Sequence, residues 1–263
     1  TDPTNYFRDW NYVVLHYCDG FSYLGNRSSP ILVRDKFNHD VDVKLYSRGA
    51  AIVQAVMDDL LNDFGQAPPP MKNAEQLLVA GSSAGALSAI MNCDVVRARL
   101  PISIPLHCMA DSGWFLIPEV ITPKYPEYTT LDVAGLAPDA YNFSQDFAGV
   151  NMEWSQGVQM HSPVMSSHCV EDHPKTAWHC VAAPTAARYT KTALLILQST
   201  ADVWQMNFML FCMFRGAQCT KSVQYLFGVV LESSMEDWVK SPSSVERGHA
   251  LLMDRCSRHA MSK

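Results

Sequence analysis

Apolar positions along this chain fall into short unbroken runs and longer helical stripes. Gln76-Leu77-Leu78-Val79-Ala80 is the run around which the rest can be placed, and it predicts a strand buried on both faces. It leads through Gly81-Ser82-Ser83-Ala84-Gly85 into a small, helix-compatible segment ending near Ile90. Asn11–Tyr17 (NYVVLHY), Ser103–Met109 and Ala193–Gln198 (ALLILQ) predict further strands, and Asp40–Lys44 a short edge strand or hairpin arm. Within Ser47–Phe64, residues Ala51, Ile52, Ala55, Val56, Leu60 and Phe64 form a helical stripe with Asp58 and Asp59 outside it, and Gln66–Pro70 stops it. Trp204–Phe214 predicts a helix, and Val223–Val239 fits either type. Ser243–His259 opens on a capping serine followed by Val245, Ala250, Leu251 and Met253. From Leu116 to His179 the periodicity dissolves into proline, aromatic and polar residues. We read residues 116–180 as a lid or insertion within a single domain spanning 1–263. The fold class expected is α/β, a mostly parallel sheet flanked by helices.

A chain of 263 residues with 48% hydrophobic content can bury a substantial core. Its net charge of −6, with no Lys/Arg cluster, predicts no nucleic-acid partner. No apolar run approaches a membrane span, and the first residues lack the pattern of a signal peptide. The eight cysteines include no C-x-x-C pair. Spacing makes Cys169–Cys180 and Cys212–Cys219 candidate disulfides, and Asn26 and Asn142 head glycosylation sequons. Together these point to an oxidising, extracytoplasmic compartment, with secretion as the expected localisation. His161, His168, Cys169, Asp172, His173, His179 and Cys180 crowd together, but at no standard zinc spacing, so neither metal nor other cofactor is expected.

Gly81-Ser82-Ser83-Ala84-Gly85 matches G-x-S-x-G, in which a sharp strand-to-helix turn presents a nucleophilic serine and small neighbours let the two backbones approach. Ser83 then needs a base, and the base an orienting acid. Asp202, just past the ALLILQ run, and Asp111, also past a strand, are the candidate acids. His249 and His259, near the C-terminus, are the candidate bases. The aromatic residues Phe21, Tyr23 and Trp114 either line an acyl pocket or pack beside the elbow.

The chain resembles the pectin acetylesterase and Notum carboxylesterases, serine hydrolases of α/β-hydrolase fold. The resemblance rests on Asp9-Trp10-Asn11 through Tyr17-Cys18-Asp19-Gly20 and Gly25, on Tyr46-Ser47-Arg48-Gly49, and on the Ser83 pentapeptide. It continues through Asn92-Cys93-Asp94 with Cys108, Ala110-Asp111-Ser112-Gly113-Trp114-Phe115 and the Cys169…Cys180 loop. Asp202 with Trp204-Gln205 and the terminal Cys256-Ser257-Arg258-His259 complete it. These anchors run in family order across nearly the whole chain. The resemblance implies Ser83 as nucleophile, Asp202 as acid, His259 as base and the Ala84 amide as an oxyanion donor, and it demotes Asp111 and His249. It implies disulfide roles for Cys93 and Cys108 and makes Cys169–Cys180 a disulfide; separately, its place after the strand next to the nucleophile's favours Trp114 as a substrate-binding residue, with Tyr23 also a candidate. A Gly-rich segment supplying further oxyanion amides belongs ahead of the first residue here, and Ala86 replaces a glycine usual after the motif. The implied substrate is an acetylated polysaccharide. An acylated protein, or a non-catalytic binding or structural role, is the alternative.

Overall fold

The computed structural model describes residues 2–34, 42–62, 70–117, 154–209 and 221–260. Its centre is a parallel sheet of β3 (Leu77–Ser82), β4 (Leu106–Asp111), β5 (Leu194–Ser199) and β6 (Ala250–Asp254), adjacent in that order. A separate antiparallel pair joins β1 (Ile31–Arg34) to β2 (Asp42–Leu45). Parallel neighbours need crossover connections. Helix α2 (Ala84–Arg99) supplies the one between β3 and β4, and α5 (Lys221–Val239) lies on the path from β5 to β6. Helix α1 (Gly49–Leu61), the short α3 (Ser167–Asp172) and α4 (Ala183–Tyr189), and the one-turn α6 (Pro242–Glu246) are further α-helices, alongside helical turns at 154–161.

Helix α2 buries Ala86, Leu87, Ala89, Ile90, Cys93 and Val96, an i, i+3/i+4 stripe that packs on β3 and β4. A disulfide from Cys93 to Cys108 ties that helix to β4, and a second joins Cys169 to Cys180. The first closes a loop with a separation of 15 residues, a constraint on the unfolded chain of about 3 kcal/mol. Asp94 anchors the approach to β5, accepting hydrogen bonds from the amides of Lys191 (2.7 Å) and Thr192 (2.9 Å) and from the Thr192 hydroxyl. Asp19 does the same for the opening loop. Its buried carboxylate accepts from the amides of Phe21, Tyr23 and Gly25, all at 3.0 Å, and of Gly49 at 3.2 Å. The loop is thereby fixed to the first turn of α1, where a side chain on Gly49 would collide with Asp19 and the Tyr23 backbone.

The elbow strand and helix, the Ser103–Met109 and Ala193–Gln198 strands, and the Ser47–Phe64 helix are all present with shifted ends. Two expectations fail. Asn11–Tyr17 has no ladder partner among the described residues and leaves Val14 75% exposed, because an apolar β-branched run becomes a strand only beside a neighbour that takes its amides and carbonyls. Ser243–His259 divides into α6, capped by Ser241 instead of Ser243, and β6, which pairs with β5. The Asp40–Lys44 arm is present as β2 and pairs with Ile31–Arg34, a segment for which the pattern predicted nothing. Of the expected insertion at 116–180, residues 118–153 lie outside the described set, as do Cys212, Cys219 and Asn142. Residues 154–164 pack on the opening loop: Phe21 stacks on His161 at 4.6 Å, and the Ser47 hydroxyl meets His161 Nδ1 at 2.7 Å. No described helix is long and apolar enough to cross a membrane.

His249 belongs to this framework. Its Nδ1 accepts from the Leu194 amide, its Nε2 meets the Thr190 carbonyl at 3.2 Å, and its ring stacks on buried Trp238. Burial lowers its pKa below the ordinary value of 6.5. The unfolded chain therefore takes up this proton at a higher pH than the folded one, so the stability tied to a neutral His249 is complete above pH 6.5 and falls as pH drops towards the folded value. The thermal midpoint is expected to decline between about pH 7 and pH 5. His249→Gln, whose amide can still donate to Thr190 and accept from Leu194, should flatten that decline. An unchanged slope would move the effect to another group, such as His161, whose pKa burial also lowers.

Candidate active site

The register sets the carboxyl ends of the strands side by side, Ser82 opposite Asp111 and Ser199 opposite Asp254. Residues leaving those ends meet along one edge of the sheet, where ligands of open α/β sheets bind. Ser83 leaves β3 with φ 56° and ψ −120°, a left-handed conformation costly for a residue with a side chain. Its amide donates to the Asp111 carbonyl at 2.8 Å, while its own carbonyl accepts from Ala86 and Leu87 to start α2. A side chain on Gly81 would collide with the Gly85 carbonyl, so only glycine lets strand and helix come this close. The methyl of Ala86 is accommodated opposite Gly113, where any Cβ would strike it. Ala84 opens α2, and its amide is among those an α-helix leaves without an intrahelical partner.

Asp202 and His259 lie along the same edge. A parallel bridge between Asp202 and Arg258 extends the β5–β6 pairing, and His259 Nδ1 lies 3.0 Å from both Asp202 oxygens. The fully buried Asp202 carboxylate also accepts from the amides of Trp204 (2.9 Å) and Gln205 (3.0 Å) and from the side-chain amides of Gln198 (2.7 Å) and Gln205 (3.3 Å). A carboxylate surrounded by donors acts only as an acceptor, so the neutral imidazole carries its proton on Nδ1 and presents a lone pair on Nε2. That Nε2 is buried and has no hydrogen-bond partner among the described residues.

Asp111 and Ser112 link the nucleophile side to the base side. The Asp111 carbonyl holds the Ser83 amide. The buried Ser112 hydroxyl donates to Asp111 Oδ1 at 2.9 Å and accepts from the Ala260 amide at 2.8 Å, next to His259. Asp111, the rival acid, is thus engaged with Ser112, and His249, the rival base, is a core residue.

Trp114 packs behind the elbow. Its fully buried ring lies against Trp238 with centroids 5.3 Å apart, and its Nε1 donates to the Ser234 hydroxyl. Tyr23 is half-buried, with its hydroxyl donating to the Leu15 carbonyl and its ring beside Tyr17. Asn26 is exposed. Cys169, His173 and Cys180 form the one potential metal cluster among the described residues, but the two sulfurs are bonded to each other. Sequence reasoning missed the roles of Gln198, Gln205 and Ser112. A polar amide ending the apolar ALLILQ run was the available signal for Gln198.

The chain is similar to known proteins throughout. It is 39% identical over 116 residues to pectin acetylesterase 7 of Arabidopsis thaliana, covering 44% of this chain and 26% of that protein. Pectin acetylesterase 4 of the same plant is 26% identical over 76% of this chain and 40% of its own length. The palmitoleoyl-protein carboxylesterase Notum of Drosophila melanogaster is 26% identical over 77% of this chain and 26% of its own length. The chain thus spans well under half the length of these relatives. Among solved structures, the Wnt deacylase Notum from Drosophila superposes with a TM-score of 0.65 at 21% identity, covering 93% of this chain and 59% of that one, which establishes a shared α/β-hydrolase-like fold. The pectinacetylesterase profile matches residues 2–259, and with nearly every residue accounted for, this chain belongs to the pectinacetylesterase family.

Proposed function

We propose that the protein is a serine carboxylic-ester hydrolase that removes acetyl groups from an acetylated polysaccharide, with Ser83, His259 and Asp202 as its catalytic residues. The observation that carries this reading is the buried, unpartnered Nε2 of a histidine clamped by a buried carboxylate, on the sheet edge that also bears the strained Ser83 turn. In the reaction, Nε2 takes the Ser83 hydroxyl proton as Oγ attacks the ester carbonyl. The Ala84 amide stabilises the resulting oxyanion at the positive end of α2. Collapse of the tetrahedral species expels the alcohol, which receives the proton from Nε2 and leaves an acetyl group on Ser83. Nε2 then deprotonates water, which attacks the acyl-enzyme, and the proton returns to Ser83 as acetate departs. Asp202 remains ionised throughout, holding the tautomer and stabilising the imidazolium. The disulfides fit an extracytoplasmic site of action, and exposed Asn26 fits glycosylation there.

Ser83→Ala is expected to lower kcat on acetylated pectin by on the order of 10⁴-fold or more, and Asp202→Asn by about 10⁴-fold. Acetate release that persists in Ser83→Ala would overturn the assignment. Strong preference for long-chain acyl esters would instead favour the palmitoleoyl-protein carboxylesterase activity for which the Notum relatives are named.

Ser112→Ala removes the acceptor of a buried amide next to the base. It should cost about 1–3 kcal/mol of unfolding free energy in denaturant titration. Displacing His259 should lower kcat by roughly ten- to a hundredfold. A variant that loses stability with kcat unchanged would confine Ser112 to a folding role.

A further inference from the structure

Immediately after Asp202 the chain presents aromatic residues that the catalytic sequence does not use. The π-helical turn Gln205–Met209 buries Gln205, Met206 and Met209, while Trp204 and Phe208, four residues apart, remain 38% and 42% exposed. Their ring centroids lie 5.5 Å apart. Trp204 also stacks on the His259 imidazole at 5.9 Å with 29° between the planes, and it is braced from behind by buried Phe115 at 5.2 Å. Tertiary contact thus holds a large aromatic side chain partly open to solvent beside His259. π-Helical turns are rare and recur at functional sites.

Building on the proposed hydrolase reading, we propose that Trp204, with Phe208 beside it, is the platform on which the sugar ring carrying the scissile acetyl ester lies. Proton bookkeeping places the ligand. The acyl carbon becomes bonded to Ser83, and its oxygen points to the Ala84 amide at the start of α2. The alcohol oxygen must face His259 Nε2 to receive its proton. The half of the substrate next to the imidazole is therefore the alcohol, and Trp204 is stacked on that imidazole. An indole offers an apolar face with a polar edge, matching a pyranose, whose C–H groups lie on its faces and whose hydroxyls lie on its rim. A fatty acyl chain would leave from the opposite side of the carbonyl.

Two acetyl esters that share the acyl group and differ in the alcohol test this in the full chain: an acetylated oligogalacturonide and ethyl acetate. Trp204→Ala is expected to lower the ratio of kcat/KM for the saccharide to that for ethyl acetate by about tenfold, chiefly through KM, and Trp204→Phe to restore most of it. In the Ser83→Ala background, calorimetry with the unreacted acetylated oligogalacturonide should show the same loss of affinity on Trp204→Ala. A ratio within threefold of the parent, or equal loss on both esters with saccharide affinity unchanged, would overturn the platform and leave Trp204 as a support for His259. Failure of the hydrolase reading is separable, because it appears as acetate release that survives Ser83→Ala whatever residue stands at 204.

Discussion

The interaction on which the site depends is the burial of the Asp202 carboxylate. A charge removed from water costs several kcal/mol unless paired and hydrogen-bonded. Here the compensation comes from separate parts of the chain: Gln198 at the end of β5, Trp204 and Gln205 in the turn that follows, and His259 beyond β6. The same glutamines reach on to a third segment. The Gln198 side chain accepts from the Trp114 amide, while Gln205 donates to the Trp114 carbonyl and accepts from the Leu116 amide. Any shift of the segment after β4 would leave a buried amide or a carboxylate lone pair unmet. The carboxylate that orients the base is therefore also what fixes the base's surroundings.

The strained Ser83 conformation persists for a related reason. A left-handed serine costs of order 1–3 kcal/mol and survives only where its neighbours over-determine it. The Asp111 carbonyl holds its amide, the first turn of α2 holds its carbonyl, and Cys93–Cys108 pins that helix to the strand supplying Asp111. The methyl of Ala86 is tolerated because Gly113 leaves the space it fills. Crowding at the elbow is thus relieved from across the strand, where a side chain at position 113 would strike that methyl.

Local signals made the elbow legible, since a buried strand, a small-residue turn and a helix each leave their own pattern. Asp202 was visible as an acid past a strong strand. The choice between His249 and His259 was not legible from pattern, because both follow plausible helical positions. β6 separates the two: Leu251 and Leu252 pair with β5, so His249 falls at the start of a strand in the core and His259 past its end, level with Asp202, which is what supports the proposal of His259. Five residues with one charged end carry too little periodicity to be distinguished from a helix turn. Asn11–Tyr17 misled in the opposite direction, because its composition suits a strand while pairing is a property of neighbours.

Most of the acidic residues within the family anchors turn out to hold backbone. Asp19 gathers four amides of the opening loop and α1, Asp94 fixes the approach to β5, and Asp111 supports Ser112 and through it the loop after β6. An ionised carboxylate is suited to this role because it accepts several N–H bonds at once, and such bonds are stronger than neutral ones. In the proposed mechanism direct chemistry then falls to very few groups, Ser83, His259 and the Ala84 amide, and these serve any ester alike. Selection among esters must come from surfaces that touch the acyl and alcohol halves separately. Within the described residues, the partly exposed aromatic pair stacked beside His259 would, in the proposed mechanism, lie on the alcohol side and direct recognition towards the leaving group.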